Sequence, residues 1–131
     1  MALTNQEIIE SLKEKVASWK TILFEVREKR NKPRLDDKSL TSWNALMLKG
    51  YTDAYRAFGD EKYLEAALNN ANFLVKNAIK EDHRLNRNFK DGQSVINAFL
   101  DDYAILIDAF VHLYQVTFDE QWLNHASDLT K

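Results

Sequence analysis

Two short stretches of the chain carry side chains of the kind that do acid–base chemistry. Asp36 and Asp37 precede Trp43 and Asn44, and Asp101 and Asp102 precede Tyr103. Each group falls where a helix is predicted to begin. Carboxylates on two separate elements are what glycoside hydrolysis needs as acid and as base or nucleophile. An aromatic ring such as Trp43 or Tyr103 stacks on a sugar, and an amide such as Asn44 hydrogen-bonds its hydroxyls. Asp36, Asp37, Asp101 and Asp102 are therefore the candidate catalytic residues, with Trp43, Asn44 and Tyr103 as candidate substrate-binding residues. The same acids have a plainer use. In a first helical turn they complement the helix dipole by about 0.3–1 kcal/mol, and Trp43 and Tyr103 also lie on apolar stripes that read as core.

Other chemistries lack their residues. The chain has no cysteine, which excludes disulfides, thiol nucleophiles and thiolate metal ligands. His83, His112 and His125 are too scattered for a histidine pair at i, i+4, so no metal site is expected. No Gly-x-Ser-x-Gly and no phosphate-cradling glycine loop occurs, and no cofactor is expected. Arg27, Lys29, Arg30, Lys32 and Arg34 form a basic cluster, but Glu28, Asp36 and Asp37 interrupt it. It reads as a complement to a helix C-terminus, with one arginine pairing the Asp36–Asp37 couple.

The elements that must position these groups are helical. Of 131 residues, 45% are hydrophobic and 11% aromatic, too apolar for a disordered chain. Three glycines and one proline are too few for a turn-rich all-β fold. Lys plus Arg number 18 against 20 Asp plus Glu, a net charge of −2, so there is no general pull towards nucleic acid or anionic lipid. The N-terminus lacks the pattern of a signal peptide, and the longest apolar runs, such as residues 104–107, fall far short of the roughly 20 that span a membrane. A cytoplasmic chain with no nucleic-acid and no membrane partner is the expectation.

Thr4 and Glu7 make a capping box for a first helix, whose stripe is Ile8, Leu12, Val16, Trp19, Leu23 and Val26. Pro33 and the Asp36–Asp37 pair break the pattern. A second helix from about Ser39 or Thr41 carries Trp43, Met47, Tyr51, Ala54, Tyr55 and Phe58 on the face predicted to be buried, and Gly59 ends it. Asp60 caps a third helix, with Tyr63, Leu64, Ala67, Ala71, Leu74, Val75 and Ala78 inward. The polar stretch 81–97, with its Asp91-Gly92 dipeptide, is a long loop holding a short hairpin. The fourth helix, about Phe99 to Thr117, is apolar nearly all round, so it is buried on most sides. Asp119 caps a fifth, carrying Trp122, Leu123 and Ala126.

Sliding the chain by 59 residues superposes Tyr114 on Tyr55, Asp119 on Asp60, Trp122 on Tyr63, Leu123 on Leu64 and Ala126 on Ala67. The period exceeds the roughly 33–34 residues of common helical repeats and suits a hairpin with a very short turn. Short turns then lie at one end of the stack and long loops at the other. The long-loop end is the candidate functional face. The same spacing carries helix five past Lys131, and helix one reads as the return arm of an earlier hairpin. The chain is therefore expected to be a piece of a longer protein: residues 1–30 a return helix, 39–80 one hairpin, 98–131 a second, truncated hairpin. Unpaired stripes on helices one and five would drive self-association.

The block from Lys29 to Met47, containing Pro33, Asp36, Asp37 and Trp43-Asn44-Ala45, resembles a signature of the spermatogenesis-associated protein 20 family. Phe99 to Ala104 and Leu113 to Thr117 resemble two further blocks of that family, in the same order. The resemblance implies an all-α fold of antiparallel helical hairpins, an incomplete slice of an (α/α)6 toroid similar to N-acylglucosamine 2-epimerase and the six-hairpin glycosidases. It further implies a thioredoxin-like domain elsewhere in the parent protein. In such a toroid the starts of the inner helices converge on a central cavity, so the candidate residues would share a pocket. The expectation is a carbohydrate-binding or carbohydrate-converting role in the full-length protein, with a sugar or small molecule as ligand and no activity in the isolated piece. A non-catalytic scaffold attached to the thioredoxin-like domain is the alternative.

Overall fold

The computed structural model describes residues 5–131; Thr4, and with it the predicted Thr4–Glu7 capping box, lies outside them. Residues up to Asp36 form one compact unit and Asp37–Lys131 another.

The first unit is one long helix, α1 (Asn5–Glu28), followed by an extended segment. None of its residues is buried; Leu12, Trp19 and Leu23 are 52%, 56% and 68% exposed.

The second unit contains four helices: α2 (Thr41–Phe58), α3 (Glu61–Asn77), α4 (Leu100–Thr117) and α5 (Gln121–Asp128). Two short strands, β1 (Ser39–Leu40) and β2 (Asn88–Phe89), pair antiparallel, with Ser39 opposite Phe89 and Leu40 opposite Asn88. α2 packs on both α3 and α4, and α5 on α4. α2 and α4 run side by side in the same direction: Arg87 bonds both Thr41 at the start of α2 and Asp102 in the first turn of α4, and midway along the helices Lys49 and Asp108, each eight residues in, form an ion pair of 2.7 Å.

The 59-residue repeat is visible in the turns. Gly59 (φ 65°) donates its N–H to Tyr55 O at 2.8 Å, and Phe118 (φ 54°) does the same to Tyr114 O at 2.8 Å. Asp60 Oδ1 then accepts from Lys62 N, and Asp119 Oδ1 accepts from Gln121 N, both at 3.1 Å. Each aspartate satisfies an otherwise free N–H of the helix that follows. The two hairpins are built from one local plan.

Packing departs from the predicted stripes on α2. Trp43, Met47 and Phe58 are 70%, 53% and 74% exposed. The buried residues are instead Thr41, Ser42, Ala45, Leu48 and Thr52. α2 is apolar on two faces, and contact with α3 and α4 together selects the face with the small residues. Buried Thr52 is satisfied by donating its hydroxyl to Leu48 O at 2.9 Å. On α3 the predicted face is the buried one, through Ala67, Ala71 and Leu74. α4 contributes Leu106, Ala109, Phe110 and Leu113 to the core.

α5 differs from expectation in one respect. Its stripe is covered: Trp122 and Ala126 are 1% and 5% exposed, and Trp122 stacks on Phe110 with ring centroids 5.7 Å apart.

The stretch predicted as a polar loop is docked. Leu85 is fully buried, and Asn86 and Asn88 nearly so. Asn86 N reaches Ala78 O, Ala98 N reaches Leu85 O and Arg87 N reaches Ile96 O. At the tip Lys90 and Gln93 exchange both backbone hydrogen bonds around Asp91 (φ 51°) and Gly92 (φ 75°). Two successive residues with positive φ make the two-residue turn that matches strand twist.

Candidate functional site

Because α2 and α4 are parallel and in register, their N-terminal ends lie at one end of the second unit, where β1, β2 and the 85–98 hairpin also gather. One residue ties them together. Arg87 O accepts from Thr41 N at 2.8 Å, at the first turn of α2. Arg87 Nη1 donates to Asp102 Oδ2 at 3.1 Å, stands 4.0 Å from Asp101 Oδ1, and the guanidinium lies 4.5 Å over the Phe99 ring. Thr41 also donates its hydroxyl to Asn86 O at 2.6 Å. Sequence reasoning missed Arg87. The signal was an acidic helix start, Asp101-Asp102, that needs a cation brought from elsewhere in the chain.

The candidate residues divide by exposure. Trp43 is 70% exposed in the first turn of α2, and Asp101 is 62% exposed in the first turn of α4. Asp37 pairs with Lys90 of the hairpin. The Lys90 ammonium, donating to the carboxylate, holds Asp37 below the ordinary 3.8. One hairpin thus supplies a cation to each acidic group, Lys90 to Asp37 and Arg87 to Asp101 and Asp102.

Three candidates serve as framework. Asp102 is fully buried; its Oδ2 accepts from Phe99 N at 2.9 Å and from Arg87, while Oδ1 has no partner among the described residues. It caps α4 through the Phe99 N–H. Tyr103 Oη accepts from Leu85 N at 2.8 Å and pins the hairpin base. Asn44 donates to Leu40 O at 2.8 Å, and its own carbonyl accepts from Asn70 of α3 at 2.8 Å. Asp36 belongs to the first unit. Among the described residues no group of three or more His, Asp or Glu is placed to hold a metal ion, and no helix is long and apolar enough to cross a membrane.

Comparison with known proteins joins this geometry to a family. Spermatogenesis-associated protein 20 of Homo sapiens is 33% identical over 79% of the chain, and its Rattus norvegicus counterpart matches equally. This chain is homologous to a segment of the spermatogenesis-associated protein 20 family. An uncharacterised Caenorhabditis elegans protein is 36% identical over 98% of the chain. The chain spans 19% of the length of that nematode protein and 14% of the length of the human member of the family. No protein-family model matches.

Solved structures agree on the fold. A GH76 α-mannanase of Bacteroides thetaiotaomicron aligns with TM-score 0.68 and 22% identity, over 76% of this chain and 28% of its own. Cellobiose 2-epimerase of Bacillus thermoamylovorans aligns with TM-score 0.67 and 18% identity, over 72% of this chain and 28% of its own. Both are (α/α)6 toroids, so the segment is all-α and forms a slice of such a toroid.

Proposed function

We propose that this segment forms part of the wall of a carbohydrate-binding and carbohydrate-converting pocket in the longer protein. The reading rests on one arrangement: parallel, register-matched α2 and α4 bring exposed Trp43 and exposed Asp101 to the same end of the unit, where the hairpin that pairs with Asp37 through Lys90 also docks. Similarity to an α-mannanase and a cellobiose 2-epimerase supports the substrate class.

In this reading Trp43 stacks on a sugar ring, Asp37 and Asp101 carry the acid–base work, and Arg87 positions Asp101. Asp102, Tyr103 and Asn44 hold the framework around them. The longer protein supplies the rest of the cavity, a thioredoxin-like domain and a cytoplasmic setting. The isolated segment is expected to turn nothing over.

The test is sugar conversion by the full-length protein on α-mannooligosaccharides and cellobiose. Asp101→Asn and Asp37→Asn are each expected to lower kcat by about 10²–10⁴-fold, the usual contribution of a positioned acid or base. Trp43→Ala raises KM with a smaller effect on kcat. If conversion is unchanged in Asp37→Asn and Asp101→Asn alike, the proposal fails.

A further inference from the structure

One polar cluster of the second unit has no part in the site described above. On α4, Asp101, Ile105, Asp108 and His112 recur at i, i+4, i+7 and i+11, which places them on one stripe of the helix. The other faces of α4 are taken. Leu106, Ala109, Phe110 and Leu113 are buried in the core, Trp122 of α5 stacks on Phe110, and Tyr103 holds the hairpin. The stripe that is left is exposed at Asp101 and Asp108 and runs beside Lys49 of α2, whose Nζ lies 2.7 Å from Asp108 Oδ2. His112 closes the stripe, with its side chain 22% exposed.

The ring of His112 is fixed in one sense. Its Nδ1 lies 2.8 Å from the backbone oxygen of Asp108 and 3.3 Å from Asp108 Oδ1. Both neighbours can only accept, so Nδ1 carries the hydrogen and the neutral ring keeps its lone pair on Nε2. Nε2 has no partner among the described residues. Asp108 is itself held by Lys49, so the ring is braced from a second helix. The outcome is a hydrogen-bond acceptor set in place about 16 Å along α4 from Asp101, at 1.5 Å per residue.

We propose that His112 Nε2 accepts a hydrogen bond from a hydroxyl of an oligosaccharide lying along this stripe, which makes His112 a binding residue of a second subsite. The proposal rests on the carbohydrate reading above and adds to it the size of the ligand. A span of about 16 Å is longer than one sugar ring and calls for several joined. The charges along the stripe favour a neutral hydroxyl as the donor. Asp101 and Asp108 repel an anion, and the cations beside them, Arg87 and Lys49, are each already paired with a carboxylate.

The test is calorimetry of the full-length protein with mannose, α-mannobiose and α-mannotetraose and with the matching cello-oligosaccharides, conversion being followed in parallel. In one series affinity should rise with length. His112→Phe keeps a flat ring and removes the acceptor, so it should weaken tetrasaccharide binding by about 2–10-fold, the share of one hydrogen bond, with a smaller effect on the monosaccharide. His112→Gln, which restores an acceptor, should recover part of the loss. Nitrogen NMR of the chain itself reads the tautomer with no sugar present: hydrogen on Nδ1 and a bare Nε2 are expected, and the reverse overturns the inference. Affinity that does not rise with length, or a His112→Phe loss equal for one sugar and four, overturns it as well. If that happens while Asp101→Asn still lowers kcat, this inference falls alone; if no sugar of either series binds, it falls together with the carbohydrate reading.

Discussion

Lys49 Nζ lies 2.7 Å from Asp108 Oδ2, and the two residues are 59 positions apart, one period of the repeat. Equivalent places on successive hairpins therefore touch, because α2 and α4 lie parallel at the same depth. Lys49 and Asp108 are 36% and 50% exposed, so the pair is worth about 0.2–1 kcal/mol at most. A double-mutant cycle with Lys49→Met and Asp108→Asn, read by urea unfolding, should return a coupling in that range. The charge swap Lys49→Asp with Asp108→Lys should restore most of it. A coupling of zero, with both single variants neutral, would remove the pair as a register device.

Acid should weaken the fold by an identifiable route. Asp37, Asp60, Asp108 and Asp128 are all held below the ordinary 3.8, chiefly by hydrogen bonds from Lys90, Lys62, Lys49 and Lys131 respectively. A depressed carboxyl binds fewer protons folded than unfolded, so stability falls as pH falls. The contribution is complete above about 5 and is lost as pH drops through 3.8 towards the lower folded values. Thermal melts at pH 7, 5 and 2.5 should show little change across the first interval and a modest fall across the second. Added salt should shrink the difference, since these pairs are exposed.

The two repeat turns predict opposite effects of glycine. At Gly59 an added Cβ meets nothing within 4 Å, so Gly59→Ala carries only the left-handed backbone penalty, about 1 kcal/mol. Phe118 already bears that penalty at φ 54°, and its ring is 77% exposed. Phe118→Gly removes the strain and loses an edge contact with Tyr114 at 6.1 Å, so it should lie within about 0.5 kcal/mol of wild type. Chemical denaturation of both variants decides whether the turns obey one rule.

Arg87 should matter far more for stability than its loop position suggests. Removing it leaves Asp102 buried with its strongest partner gone. For a fully buried pair that costs about 3–5 kcal/mol; with Arg87 30% exposed we expect about 2–3. Arg87→Ala should therefore lower Tm sharply, and Arg87→Ala with Asp102→Asn should recover part of the loss. Hydrogen exchange at Thr41 should rise in the single variant, because Thr41 N donates to Arg87 O.

The two tryptophans of the second unit predict a contrast. Trp122, 1% exposed against Phe110, should cost about 3–5 kcal/mol on replacement by alanine. Trp43, 70% exposed, should change stability by less than about 0.5 kcal/mol. A large loss at Trp43 would make it a packing residue and undercut its assignment to a ligand.

Local features of the site were legible, and those assembled over distance were not. Asp60 and Asp119 announce their caps because the interaction spans two residues, and Asp91-Gly92 announces its turn because only such residues accept two positive φ values in succession. Arg87 was silent, since its partners lie 14 and 15 residues ahead and its neighbours Asn86 and Asn88 look like ordinary loop. Their burial depends on a hairpin folding back on α3 and on the start of α2.

By itself the sequence determined the all-helical class, the 59-residue hairpin period, the turn residues and the inward face of α3. Each of these is set by interactions within one or two helical turns or by a repeat that can be counted. Tertiary structure alone decided that α2 buries Ala45, Leu48 and Thr52 while Trp43 and Met47 stay exposed. It also decided that Asp102 and Tyr103 hold the frame while Asp101 faces solvent. A helix that is apolar on two sides carries no local signal for which side its neighbours will cover. That choice belongs to the packing of α3 and α4 against it.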